Sequence, residues 1–387
     1  MRAGLVTSGL AERAGLAGGN FFSAAPVPST AQPPSSLQAP PIKLSTLIST
    51  KFSPPAISRA QLSSSIAPVT MSVNDSPNNS GKQALFLLNA AELIDSVETF
   101  VFDCDGVIWN RNKLLDGVKE VIGLLRSKGK RLYFLTNNST KSRWDCLKKA
   151  ESLGLEVTED EMFTSGFAAV LYLKSIKFPA NKKVYLISES GLREEFAKAG
   201  ISYIDGSDDD HKKVDFKTVN FVDHDPDVGA VVVGFDRNIS YFKMQYAALC
   251  LRENIDCKFI ATNCDEVIMP TGDSPGQLWP GESAMVGAIR GVTKKEPIVT
   301  GKPDTFMMRY LCDRFNINTD EICMVGDNLE TDILFGKNGG CRTLLVLTGV
   351  TDLKTLQSPE NNIQPDYYTY HISDLLVGLN DTTRESV

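Results

Sequence analysis

From Val97 onward the chain alternates short apolar runs with amphipathic stretches, and this alternation restricts the fold more than any other feature. Residues 98–103 form an apolar run ending on the acid Asp103, and residues 131–136 form a second ending on Thr136. Residues 297–300, 321–325 and 342–347 repeat the pattern. Between them, residues 118–126 carry helical spacing and stop at Gly129, and residues 142–153 do the same with Gly154 as the expected C-terminal cap. Strand-length runs with helices between them predict α/β architecture, a doubly wound parallel sheet covered by helices on both faces. Active sites in such folds lie beyond the carboxyl ends of strands, where Asp103, Thr136 and Asp327 fall. The stretch 178–296 has βα units of its own, at 183–187 before a helix following Gly191 and at 230–234 before a helix from Ser240. The expected organisation is therefore a first core segment over 75–177, an inserted α/β domain over 178–296 and a second core segment over 297–387. The acidic run Asp208 to Asp210 and the loop leading to Asp227 read as a solvated excursion.

The first 74 residues are built differently. Their one acid is Glu12, set against Arg2, Arg13, Lys43, Lys51 and Arg59, in a background of serine, alanine and proline. An acid-poor, serine-rich, basic leader has the composition of an organelle transit peptide, and serine and proline outweighing arginine favour the chloroplast. Removing it takes the net charge from −7 to about −11. Such a charge argues against a nucleic-acid partner, and no run approaches the roughly 18 to 20 apolar residues of a membrane span. The eight cysteines include no C-x-x-C pair, and Cys250, Cys312 and Cys323 sit in apolar segments, so free thiols are expected rather than a disulfide framework.

Four segments carry chemistry. Asp103 and Asp105 flank Cys104 directly after a strand, and Gly106 permits the sharp turn that lets two carboxylates converge. One carboxylate can act as a nucleophile. The other can give a proton to a leaving oxygen and then take one from water. Asp327 and Asp332 follow the run 322–325; strand-end carboxylates facing Asp103 would make the oxygen-rich pocket that Mg²⁺ prefers, with Asp332 orienting a water or Lys302 rather than ligating. Lys302, restricted by Gly301 and Pro303, would aim an ammonium at phosphate and clustered carboxylates. Thr136, Asn137 and Asn138 offer a hydroxyl and main-chain amides to phosphoryl oxygens near a helix N-terminus. Trp109 reads as a packing residue of the flap after the turn, and the three histidines, His211, His224 and His371, match no catalytic position.

Taken together, D-x-D-G, a strand-end threonine, G-K-P and G-D-x-x-x-T-D, in that order, resemble the haloacid-dehalogenase superfamily of phosphatases. Its fold is a Rossmann-like core, and the long interval between Thr136 and Lys302 resembles the family's second type of inserted α/β cap. Segments 102–109, 135–143, 229–236, 260–263 and 332–336 look most like the phosphoglycolate phosphatases of plant chloroplasts, over about residues 96–372. The resemblance implies a Mg²⁺-dependent hydrolysis of 2-phosphoglycolate in the stroma, with Asp103 as nucleophile and Asp105 as general acid/base. It also implies that Asp103, the Asp105 main-chain carbonyl and Asp327 hold the metal, that Thr136, Asn137, Asn138 and Lys302 hold the phosphoryl group, and that a homodimer could form through the cap. A broader phosphatase for sugar, glycerol or aromatic phosphates is the alternative. Met269 stands where pyridoxal phosphatase relatives carry a histidine before proline, which argues against pyridoxal phosphate, and Pro280 to Ser283 are expected nearby.

Overall fold

The computed structural model describes residues 83–218, 221–268 and 277–377. The leader and Met269 lie outside these residues. Seven strands form one parallel sheet in the order Leu85–Phe86, Tyr367–Thr369, Arg342–Val346, Ile322–Gly326, Thr99–Phe102, Arg131–Thr136 and Met162–Thr164. The central strands are buried on both faces, which is why their sequences are continuous apolar runs rather than alternations.

The two-residue period of the strands sends Phe100, Phe102 and Phe134 to one face and Val101, Tyr133 and Leu135 to the other. On the first face the helix Val118–Ser127 packs through Val118, Val121, Ile122 and Leu125, the i, i+3, i+4, i+7 stripe of a helix covering a sheet. On the second face Met307, Met308 and Leu311 of the helix Phe306–Phe315 fill the space against Met324.

A second parallel sheet has the order Ile298–Val299, Lys258–Ala261, Val228–Val233, Lys183–Ile187 and Tyr203–Asp205. The helix Ser165–Ser175 explains its own composition. Ala168 and Leu171 join the core of the large sheet, while Ala169, Val170 and Leu173 join that of the small one. A helix covered on both sides is apolar around most of its circumference.

Two expectations are corrected. Residues 298–299, read as a core strand, pair with Lys258–Ala261 in the small sheet, so the chain leaves that sheet only after Val299. A two-residue edge strand carries no local signal of which sheet it joins. The acidic run is not wholly solvated: Asp209 is buried and accepts from the Tyr185 hydroxyl at 3.0 Å, and Asp210 pairs with the fully buried Lys243. Asp208 and residues 215–218 are exposed, as read from sequence. All eight cysteines are free, six of them buried. Among the described residues no helix is long and apolar enough to cross a membrane.

Candidate active site

The four chemistry-bearing segments meet at the carboxyl ends of the three central strands of the large sheet. Asp103 follows the strand Thr99–Phe102, and its N–H donates to the Val325 carbonyl of the neighbouring strand at 2.9 Å. The chain then turns through Gly106 at φ +87°, where an added Cβ would stand 2.6 Å from an Asp327 carboxylate oxygen. Gly349 approaches from the other side, its absent Cβ 1.8 Å from the same oxygen. Both glycines are therefore required by the closeness of Asp327. The Asp327 side chain accepts from the Val350 N–H at 2.7 Å and its carbonyl accepts from Thr351 N–H at 2.9 Å.

Lys302 lies at the centre. Its Nζ donates to Asp103 Oδ1 at 2.5 Å, to Asp332 Oδ1 at 2.7 Å and to the Leu135 carbonyl at 3.1 Å, and the side chain is buried. Asp332 Oδ2 in turn accepts the N–H groups of Asp327 and Asn328, each at 3.1 Å. Asp332 owes that position to the π-helical turn Leu329–Ile333, which opens directly from the strand end. Carboxylate oxygens of Asp103, Asp327 and Asp332 all lie within 4.8 Å of one another.

The remaining residues divide. Thr136 ends its strand beside Asp103, and its Oγ1 accepts from the Asn138 N–H at 3.1 Å. The Asn138 side chain is turned back on Thr140, accepting from its N–H at 2.9 Å and its hydroxyl at 2.7 Å. The Asn137 side chain does not point into open space. Its Nδ2 donates to Asp265 at 2.9 Å and to the Lys302 carbonyl at 3.0 Å, while its Oδ1 accepts from the Lys302 N–H at 2.9 Å. It clamps the lysine loop, so its main-chain amide is what it has left for a phosphoryl group. Asp105 is drawn away from the acidic cluster: Trp109 Nε1 donates to its Oδ1 at 3.0 Å. An open cavity of about 500 Å³ lies here, lined by Asp105, Trp109, Thr136, Asn138, Lys141 and Lys149.

This arrangement has counterparts. Residues 100–202 match the haloacid dehalogenase-like hydrolase family and residues 299–375 match a HAD-hydrolase-like family. Chloroplastic phosphoglycolate phosphatase 1A of Arabidopsis thaliana is 59% identical over 75% of this chain and 79% of its own length. Phosphoglycolate phosphatase 2 of the same plant is 52% identical over 76% and 97%. The p-nitrophenyl phosphatase of Archaeoglobus fulgidus superposes with a TM-score of 0.62 at 31% identity, covering 73% of this chain and 98% of that one. The chain belongs to the haloacid dehalogenase-like hydrolases. Within them it groups with the phosphatases.

The electrostatics of this hydrolase are those of a site short of positive charge. Burial raises Asp103 well above the usual carboxylate range; Lys302 opposes that, while Asp332 and Asp327 add to it. Burial and then Asp332 push Asp327 up to about 7. Burial alone would lower Lys302, but Asp103 and Asp332 outweigh it and hold the lysine above its ordinary value. One ammonium faces three buried carboxylates, a deficit that a divalent cation with oxygen ligands would remove.

Sequence reasoning missed four contributors. Asp265 and Asn263 brace the 137 loop, Asn263 Nδ2 donating to the Asn137 carbonyl at 2.7 Å. Glu282, buried, accepts from the hydroxyls of Ser139 and Thr262. Lys149 lies 3.6 Å from Asp105 Oδ1. The 260–263 segment gave a signal for Asn263 through its likeness to the family; Lys149 had none, since a lysine on a helix is ordinarily solvated. The hairpin pairing of Val267–Ile268 with Trp279–Pro280 does bring 280–283 beside the 265–268 segment, as expected.

Proposed function

We propose that this chain hydrolyses 2-phosphoglycolate to glycolate and phosphate in the chloroplast stroma. The observation that carries the chemistry is the buried Lys302 ammonium bound to both Asp103 and Asp332 at the strand ends. The substrate and compartment rest on the likeness to the plant phosphoglycolate phosphatases and on the leader, which we assign as a transit peptide.

Asp103 is the nucleophile: a carboxylate oxygen attacks phosphorus, and the phosphorus–oxygen bond to glycolate breaks. Asp105 gives its proton to the departing alkoxide, then takes one from the water that attacks the aspartyl phosphate. That attack breaks the bond to Asp103 and releases phosphate. Lys302, the Thr136 hydroxyl and the Asn137 amide hold the phosphoryl oxygens, while the Asn138 N–H donates to Thr136 Oγ1 and orients that hydroxyl. Asp103, the Asp105 carbonyl and Asp327 would hold Mg²⁺, with Asp332 fixing Lys302. The fit rests on the charge deficit and on the carboxylate oxygens of Asp103, Asp327 and Asp332 lying within 4.8 Å of one another. When bound, the metal supplies positive charge against the transferring oxygens. The small sheet serves as a cap that excludes bulk water.

A broader specificity is favoured by one observation: the A. fulgidus protein of the same fold is a p-nitrophenyl phosphatase. Phosphate release from 2-phosphoglycolate, with and without Mg²⁺, separates the readings. The narrow one requires strict metal dependence and a kcat/KM at least about 100-fold above that for glycerol phosphate, roughly what a buried carboxylate contact is worth. Comparable values for the two esters would sink it.

A further inference from the structure

We propose that Trp109 and Lys149 are positioning residues that hold the Asp105 carboxyl for proton transfer and so decide how poor a leaving group the enzyme can expel. The inference rests on the reading of Asp105 as general acid/base given above. Asp105 needs such help, because its side chain is half exposed, at 52%, and a carboxylate on a solvated turn samples several rotamers. Two groups restrict it, and both act on the same oxygen. Trp109 Nε1 donates to Oδ1 at 3.0 Å, and Lys149 Nζ lies 3.6 Å from Oδ1 while standing 4.3 Å over the indole ring. Oδ2 is thus the oxygen left to exchange a proton.

The supports are rigid. Trp109 is 1% exposed and belongs to the core of the large sheet. The loop from Cys104 closes on itself, with Trp109 N–H donating to the Cys104 carbonyl at 3.0 Å and Gly106 N–H to the Trp109 carbonyl at 2.8 Å. This closure sets the indole beside the carboxylate four residues earlier. Lys149 stands on the helix Arg143–Ser152, anchored by the reciprocal capping box of Ser142 and Asp145. A solvated packing tryptophan would have no reason to aim its N–H at this carboxylate, nor would a surface lysine need to lie over that ring.

The consequence is selective. An alkoxide leaving from 2-phosphoglycolate needs a proton as the bond breaks, whereas 4-nitrophenolate leaves without one. Trp109→Phe keeps the ring and its packing but removes the N–H; Lys149→Met keeps the aliphatic stem but removes the charge. We expect Trp109→Phe to lower kcat/KM for 2-phosphoglycolate by about 10- to 100-fold, and for 4-nitrophenyl phosphate by at most about threefold. Lys149→Met shows the same selectivity at about 3- to 10-fold, and Lys149→Arg restores it. Equal losses on the two esters, or no loss on either, overturn the proposal for the residue concerned. Asp105→Asn is run beside them: if it too loses both esters equally, the general-acid reading itself is wrong. If it loses the alkyl ester alone while Trp109→Phe and Lys149→Met do not discriminate, only the positioning claim falls.

Discussion

Two buried lysines, one beside each sheet, make an instructive comparison. Lys302 at the large sheet lies between Asp103 and Asp332, and Lys243 at the small sheet lies between Asp236, at 2.7 Å, and Asp210. Both are almost completely buried. The difference is in what surrounds the triad. Around Lys243 one acid, Asp210, keeps 35% of its side chain in water, and hydrogen bonds to Lys243 lower that carboxyl below its ordinary value. Around Lys302 both acids are shielded, and a third, Asp327, adds charge while its side chain accepts from the Val350 N–H. The first cluster has one acid open to water, and we expect its role to be architectural. The second is left electrically incomplete, the condition in which burial displaces carboxylates far from their ordinary range and a ligand or cation supplies what the protein does not.

Removing the proposed nucleophile tests the comparison hardest. Asp103→Asn should lower kcat by at least about 1,000-fold while leaving the fold intact, read by steady-state phosphate release and circular dichroism. The third acid is next. Asp327→Asn should cost about 100-fold in kcat and abolish any rise of melting temperature with Mg²⁺. In the metal-free protein the same change should be stabilising. The folded pKa of Asp327 stands near 7, above its unfolded value, so its contribution to stability is present at low pH and lost as pH rises through 7. Neutralising it removes that loss. If metal-free Asp327→Asn melts lower than the parent at pH 8, the deficit described above is not real. Lys243→Met is the counterpart at the small sheet. It strands Asp236 beside a neutral stem and should cost about 3 kcal/mol in urea denaturation, the low end for a broken buried pair because Asp210 is partly hydrated. Its kcat/KM should stay within about threefold of the parent if the cluster is architectural.

The division between what could and could not be read from the sequence follows the same physical line. The strand-end positions of Asp103, Thr136 and Asp327 were legible because each ends a short apolar run, and a strand closed by a polar residue is a local pattern. The parallel sheet was legible for the same reason. Partners distant in sequence were not. Nothing local says that the Asn137 amide closes on Lys302, 165 residues away, and the residue was read only as part of a phosphate loop. Asp209 and Asp210 looked like surface acids because their partners, Tyr185 and Lys243, lie in other elements. Ile298–Val299 was assigned to the wrong sheet because a two-residue strand pairs by topology, not by period. Trp109 was read as a packing residue of the flap and is indeed buried, but its N–H on Asp105 was not foreseen, since a ring's burial and its polar end are separate facts.

Glu282 lies between the two lysine clusters in character and gives the smallest effect. It opens the helix Glu282–Thr293 and ties the two sheets' loops together. The Ser139 hydroxyl donates to one carboxylate oxygen, the Thr262 hydroxyl donates to the other at 2.8 Å, and Phe235 N–H donates to Ser139 Oγ at 3.0 Å. Among the described residues it has hydroxyl donors but no cation partner, and burial pushes it up to about 8 against those hydrogen bonds. Its folded pKa therefore exceeds its unfolded value of 4.5, so the stability it contributes is complete below 4.5 and is lost as pH rises through 8. Between pH 6 and pH 7.5 the parent should lose about 2 kcal/mol relative to Glu282→Gln, whose amide keeps the hydrogen-bonding shape without titrating. The difference between the two proteins is the quantity to follow, because the active-site carboxylates titrate in both. If parent and variant run parallel across that range, the hydroxyls and the helix N-terminus suffice to keep Glu282 ionised, and a buried acid in this protein can be satisfied without any cation.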